Sequence, residues 1–182
     1  VHFLLRTLLQ SLRSRFRSRL DVWDVSSTPF RVIPTDLDVL RHMNNGVYLS
    51  LLDIARLDLM QRSGTWPLLQ SWGWYPVVVA ETISFRRSLQ LWQRFEVESR
   101  LLGFDQRSVL MEQRFVVRGE IYARAFIRAR FLKRSGGIVP MDELRALVGP
   151  APVGERFPDW AASWAEATQL PSTKAPAESV WE

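Results

Sequence analysis

Along the first twenty residues, Leu4, Leu8, Leu12, Phe16 and Leu20 recur four apart, with Leu5 and Leu9 beside them and Arg6, Arg13 and Arg17 opposite. This spacing predicts an amphipathic helix, clean only through about Arg13 because Arg15 and Arg19 rotate back onto the apolar side. The run is too short and too charged to span a bilayer. Two placements remain. In the preferred one the helix packs on its own domain or on a partner subunit and buries its leucines; in the second it lies on an anionic membrane surface. No small-residue cleavage site follows the apolar run, which argues against a signal peptide. Further on, Phe30 to Ile33 reads as a short strand stopped by Pro34. Residues from about Gly46 to Arg62 read as one helix ending near Ser63-Gly64. Its apolar positions cover so wide an arc that it must be enclosed on most sides, as by a sheet wrapped around it.

Four alternating segments follow. Val77–Arg87 carries Val77, Val79, Ile83 and Phe85 on one face. Trp92–Leu102 gathers Arg94, Glu96, Glu98 and Arg100 on one side. In Arg107–Val117 the apolar set is Val109, Met111, Phe115 and Val117. Ile121–Phe131 opposes Ile121, Ala123, Ala125, Ile127, Ala129 and Phe131 to Arg124, Arg128 and Arg130. Period-two alternation with short intervening turns (Gly103-Phe104-Asp105, and Gly119 with its neighbours) predicts an antiparallel meander with one solvated face, its last two strands forming a hairpin. The fold class is α+β. Pro140 to Val148 adds a short helix. Composition then shifts to Pro, Ala and Ser, a tail expected to build no core of its own, within which Trp160 and Trp164 allow one helical turn to dock. The resulting divisions are a basic helix over 1–24, the main domain over 25–149 and the tail over 150–182.

Composition removes several classes of function. The chain of 182 residues has no cysteine, which excludes disulfides, thiol catalysis and cysteinyl metal sites. His2 and His42, its two histidines, stand too far apart for a zinc spacing, and no metal is expected. The net charge of +5 is concentrated in residues 1–20, which hold five arginines and no acid; the tail is acidic. That distribution argues against a nucleic-acid-binding domain. Neither a P-loop nor a GxGxxG is present, nor a G-x-S-x-G elbow. No cofactor is expected, and the placement expected is cytoplasmic, with peripheral contact at the inner face of a membrane through residues 1–20 as the second reading.

The densest chemistry lies in DLDVLRHMNNGVYLSLLDIAR, residues 36–56. A polar loop feeding a helix N-terminus is where negative charge developing on a substrate meets unpaired backbone N–H groups. Asp36 and Asp38, one residue apart, point to opposite sides of an extended backbone. Asp36 suits holding the turn, and Asp38, nearer the helix, is the catalytic candidate. Of Asn44 and Asn45 one is a helix cap, and the other orients His42 or holds a water. Tyr48, one turn into the helix, either reaches back to the loop or packs in the core. Glu81 replaces a hydrophobe on an apolar strand face and lines a pocket or an oligomer contact. Asp53 and Asp58 do not converge, and Asp58 with Arg62 reads as an ordinary i,i+4 pair. Arg86, Arg87, Arg128, Arg130, Lys133 and Arg134 are candidate phosphate contacts for a carrier such as coenzyme A.

DLDVLRHMNNGVYL followed by LLDIAR resembles the thioesterase superfamily with the hotdog fold, and especially its thioesterase-like branch of THEM6-type proteins. It is also similar to the plant acyl-carrier-protein thioesterases. The resemblance covers about residues 28–134. It implies an antiparallel sheet wrapped around a long central helix, and hydrolysis of an acyl-CoA or acyl-carrier thioester. It implies Asp38 as the catalytic carboxylate, acting as general base or nucleophile, and a helix N-terminal amide around Asn45 or Gly46 that polarises the carbonyl. It also implies a homodimer or higher homo-oligomer. The chain departs from the small acyl-CoA enzymes in carrying Leu40-Arg41-His42 where they have glycines and small residues. A non-catalytic acyl-CoA- or lipid-binding protein of the same fold is the alternative, and a hotdog hydratase or dehydratase a minor one, since no Asn-Pro stands between aspartate and His42.

Overall fold

Asn45–Arg62 (α2) is the centre of the computed structural model, which describes residues 2–151, 157–171 and 176–180. From Val47 to Arg62 only Asp53 is exposed, so the breadth of the apolar arc does mean enclosure. The Asn44 side chain caps its start. Gly64, at φ +77 where L residues are strained, turns the chain away after Ser63. A five-stranded antiparallel sheet wraps the helix, built from β1 (Ser26–Arg31), β2 (Trp74–Phe85), β3 (Arg94–Phe104), β4 (Val109–Val117) and β5 (Glu120–Lys133). The fold is a hotdog, α+β. Inward positions on β5 are small (Ala123, Ala125), so the sheet approaches α2 closely, while Phe95 and Phe115 fill the space around Tyr48. The other helices are α1 (His2–Ser14), α3 (Thr65–Ser71), α4 (Met141–Val148) and α5 (Trp160–Ala167). α5 lies on the outer face of the sheet, with Trp160 edge-to-face on Phe126. Of the Pro/Ala-rich tail, residues 152–156, 172–175 and 181–182 fall outside the described residues.

The strand order is β1-β3-β4-β5-β2, which corrects the meander expectation at its first step. β2 pairs with β5, not β3, and residues 86–93 carry the chain across to place β3 beside β1. Only β3-β4-β5 is a meander. Two bulges also revise the predicted faces. In β2 the register slips between Val78 and Ala80, so Val78, Glu81, Ile83 and Phe85 lie opposite inward-facing residues of β5, whereas Val77 lies opposite Arg130. In β3 it slips between Leu101 and Gly103, and the strand runs on through Phe104. The turn is therefore at Asp105, whose carboxylate accepts from the Arg107 and Ser108 amides.

The N-terminal helix does dock on the domain, but by the face opposite to the one expected. Arg6, Gln10, Ser14 and Arg17 point inward; Leu4, Leu5, Leu8, Leu12 and Phe16 are each more than half exposed, and Leu9 nearly so. The reason lies in two carboxylates with no exposed surface, Asp36 and Asp58, which draw the polar face in. Asp58, expected to pair simply with Arg62, is a hub. Its Oδ1 accepts from Gln10 Nε2 (3.3 Å) and from Ser14 Oγ; its Oδ2 accepts from Arg17 Nη1 (2.8 Å), Thr28 Oγ1 (3.0 Å), Ser26 Oγ (3.3 Å) and Arg62 Nη1 (3.5 Å). Burial alone raises the Asp58 carboxyl, but Ser14, Arg17, Thr28 and Gln10 together bring it below its ordinary value.

Candidate active site

The loop between β1 and α2 is a small hairpin with every turn of its backbone accounted for. A 3₁₀ turn, Pro34–Asp36, opens it. Asp36 Oδ2 accepts from the Ile33 amide (3.0 Å), its Oδ1 from Arg6 Nη1 (2.7 Å), and its carbonyl from the Asn44 amide (2.8 Å). Asp36 therefore holds the turn, its side chain buried against α1. Leu37 then bridges Met43. Between them Arg41 N–H donates to the Asp38 carbonyl (3.0 Å) and Asp38 N–H to the His42 carbonyl (2.8 Å). Arg41 takes a left-handed conformation, φ +61, in the position of such turns that glycine favours.

Asp38 has two distinct oxygens. Oδ1 accepts from the Leu40 amide (2.8 Å) and the His42 amide (3.1 Å), so the side chain fixes the loop that carries it. Oδ2 has no hydrogen-bond partner among the described residues, and the residue is half-buried. His42 and Arg41 are exposed, and neither forms an ion pair with Asp38 among the described residues. At the helix start Asn44 Oδ1 accepts from the Gly46 amide (2.8 Å). A Cβ on residue 46 would stand 3.2 Å from that oxygen, which explains a glycine there. The Gly46 amide is thus engaged, and the Asn45 amide one residue earlier has no partner among the described residues.

Tyr48 does not reach back to the hairpin. Its ring packs edge-on against Phe85 and Phe115, and its hydroxyl accepts from the Leu89 amide (3.2 Å). Burial pushes the phenol up, and the Leu89 bond pulls it partly back. Leu89, in the crossover segment, also accepts from the Met43 amide through its carbonyl (3.4 Å). One buried residue of the crossover thereby ties the helix to the hairpin.

Glu81 stands apart from this loop. It faces α2 from the exposed strand β2, where burial raises its carboxyl, Arg56 opposes that and Asp53 adds to it. Asp53 follows Asn45 by eight residues, roughly 12 Å along the helix. Arg56 Nη1 donates to Gln113 Oε1 (2.7 Å), and its Nη2 is paired with Asp53. Gln113 Nε2 donates to Ser99 Oγ (2.7 Å) and to the Leu52 carbonyl (3.1 Å). This buried polar layer was missed in the sequence, although Gln113 interrupts the apolar face of β4 and was the available signal.

The six candidate phosphate contacts do not converge within one chain. Arg86 and Arg87 are paired with Glu120 at one end of β5, and Lys133 with Glu143 at the other, about 43 Å away along an extended strand. Arg128 is buried against Asp105 and Ser108. Arg130 has its Nε buried without a partner among the described residues, and Arg134 is exposed beside Gly73. A groove of about 1060 Å³ opens instead along β1, the start of β3 and the β4–β5 turn, lined among others by Phe30, Trp92, Arg94, Arg118 and Tyr122 and by no residue of the hairpin. Its wall joins the hairpin region through Val32, whose amide and carbonyl bond to Gln93 and Trp92. Among the described residues no cluster of His, Asp and Glu has a metal-binding arrangement.

Comparison with protein-family models matches residues 32–165 to the thioesterase-like superfamily, a span running from just after β1 into α5. The chain belongs to that superfamily. It is 32% identical over 180 residues to Protein THEM6 of Xenopus laevis, covering 98% of this chain and 86% of that one. Among solved structures it is similar to the YbaW probable thioesterase of Escherichia coli, with TM-score 0.63 and 26% identity over 67% of this chain and 95% of that one. The 12:0-ACP thioesterase of Umbellularia californica has TM-score 0.63 at 17% identity, over 74% of this chain and 53% of that one, and shares the fold. In this superfamily member the loop-and-helix pair carrying Asp38 and Asn45 lies wholly inside the matched span.

Proposed function

We propose that the protein hydrolyses an acyl thioester, acyl-CoA being the favoured substrate, at the mouth formed by Asp38 and the start of α2. One observation carries the reading: among the described residues Asp38 keeps a free Oδ2 while its Oδ1 rigidifies the hairpin, seven residues before an 18-residue helix whose Asn45 amide is unengaged. The substrate carbonyl oxygen accepts from that amide, with the helix dipole behind it. Water then adds to the carbonyl carbon as Asp38 Oδ2 takes its proton. The tetrahedral oxyanion collapses, the C–S bond breaks, and the thiol leaves with that proton. Direct attack by Asp38, giving an anhydride that water opens, uses the same atoms. Asp36 and Asn44 hold the frame, and His42 flanks the mouth.

Acyl-CoA is favoured over an acyl carrier because the groove whose wall Val32 joins combines the aromatic faces of Trp92 and Tyr122 with Arg94 and Arg118, groups suited to a purine and its phosphates. A binding role without turnover would be served by an Asp38 carboxylate locked to Arg41; the absence of that pair among the described residues favours hydrolysis. We also read the protein as a dimer. β2 is a sheet edge of 12 residues with Tyr75, Val78, Val79 and Phe85 exposed, an edge that a second copy would cover.

The decisive experiment is thiol release from a panel of acyl-CoA chain lengths by wild type and Asp38→Asn. Asparagine retains an oxygen for the Leu40 and His42 amides, so the hairpin persists while the base is lost. We expect kcat to fall at least about 100-fold with an unchanged melting temperature. Equal rates in the two proteins, or no turnover of any chain length by wild type, would refute the assignment.

A further inference from the structure

The orientation of α1 is unusual for an amphipathic helix on a domain surface. On its docked side Phe3 packs against the core, and Arg6, Gln10 and Ser14, with Arg17 just past the helix end, are each bonded to a carboxylate with no exposed surface. Rolling the leucines inward would take from Asp36 its Arg6 partner and from Asp58 the Gln10 and Ser14 donors, leaving Asp36 without a cation, a cost that opposes the gain from burying a few leucines. The outward side presents Leu4 (69% exposed), Leu5, Leu8 (67%), Leu9, Leu12 and Phe16 (85%) as one continuous stripe about 20 Å long. Exposed apolar side chains in such a row are not what a solvated helix carries.

Charge identifies the occupant. Residues 1–20 contain no acid. Two of their five arginines are spent on Asp36 and Asp58, leaving Arg13, Arg15 and Arg19 exposed beside or beyond the stripe. Arg15 directly follows the helix end at Ser14 and is exposed next to Phe16, while Arg19 lies further on, its Nη1 3.7 Å from where a Cβ on Gly64 would stand. Apolar residues flanked by cations, with no acid among them, match an anionic lipid surface. They match a second copy of the same stripe poorly, because that would set arginines against arginines. No helix among the described residues is long and apolar enough to cross a membrane.

We propose that α1 is an interfacial helix that docks this domain on anionic bilayers through Leu4, Leu5, Leu8, Leu9 and Leu12 and through Phe16 just past its end, with Arg13 and Arg15 contacting lipid headgroups. Arg6, on the opposite side of the same helix, holds Asp36 at 2.7 Å and the Arg31 carbonyl at 3.1 Å. Docking thus sets Asp36, at the base of the hairpin, about one helix diameter, ~10 Å, from the membrane plane.

The test is co-sedimentation with vesicles of phosphatidylcholine alone and of phosphatidylcholine with about a third phosphatidylserine. The proteins compared are the full chain, Leu8→Gln/Leu12→Gln and Arg13→Ser/Arg15→Ser. None of these substitutions touches a docking bond, so circular dichroism and melting temperature stay at wild-type values. The full chain is expected to pellet with the anionic vesicles. The leucine variant should lose at least about tenfold in partitioning, in keeping with the apolar area withdrawn. The arginine variant should lose a similar factor on anionic vesicles, and high salt should reproduce its loss. Failure of the full chain to bind anionic vesicles overturns the proposal. So does equal binding to neutral vesicles, or a loss of self-association in the leucine variant without any change in vesicle binding. These readouts need no turnover and stand or fall separately from thioester hydrolysis.

Discussion

Asp58→Asn tests the hub on which the N-terminal helix depends. The carboxylate serves donors on both oxygens, Gln10 and Ser14 on one, and Arg17, Thr28, Ser26 and Arg62 on the other. An amide offers one acceptor and one NH2, so in either rotamer a set of donors faces a donor. The larger loss is charge, because Arg62, with 5% of its side chain exposed, and Arg17, with 27%, would face no anion. Removing one member of a buried pair costs about 3–5 kcal/mol, and the partial exposure of Arg17 argues for about 3. For a chain of this size 1 kcal/mol moves the melting temperature by roughly 2–4 °C, so a fall of about 6–12 °C is expected. Ser14→Ala should cost less, about 1–2 kcal/mol, and the two changes together less than their sum, since they remove one interaction. Calorimetry gives the first quantity. Hydrogen exchange of α1 amides gives a second, because loss of the hub should free the helix before the sheet opens. A variant that melts within about 1 °C of wild type, with α1 equally protected, would show that the hub does not anchor the helix.

Acid should act through the same carboxylate. The folded Asp58 is held below its ordinary value of 3.8, so its contribution is complete above that pH and is lost as pH falls through the folded value. Melting temperature measured against pH should therefore drop below about pH 4 in wild type and less steeply in Asp58→Asn; superimposable slopes would refute this. For the β2 edge, light scattering at micromolar protein should report a dimer that a lysine at Val78 weakens, whereas a wild-type monomer removes the dimer reading.

The parts of the fold legible in the sequence are those set by local periodicity. The breadth of the apolar arc in α2 required enclosure, and alternation located four strands to within a few residues. Strand order was not legible, because β2 and β3 look equally able to follow one another and the choice rests on pairing with distant β5. Val79 shows the limit of face assignment: one bulged residue exchanges sides for everything before it, without a compositional mark. The rule that leucines face inward failed for α1, where the partners that overrode it are 30 to 48 residues away along the chain. At the site, the capping role of Asn44 and the turn-holding role of Asp36 followed from local side-chain-to-backbone chemistry. The long-range link from Tyr48 through Leu89 to Met43 did not, since a tyrosine in a helix gives no sign of which distant amide its hydroxyl will meet.

The two sides of α1 answer to different constraints, and over evolutionary time they should behave as two sequences. Arg6, Gln10, Ser14 and Arg17 are read by Asp36 and Asp58, so a change at either aspartate removes the reason for its partners on the helix. Those positions should drift together or not at all. The leucines are about half exposed or more. Any apolar side chain serves there equally well, and their identities are free to exchange while the row persists. A helix that a pattern search would align by its leucines is, within this fold, identified by its polar residues.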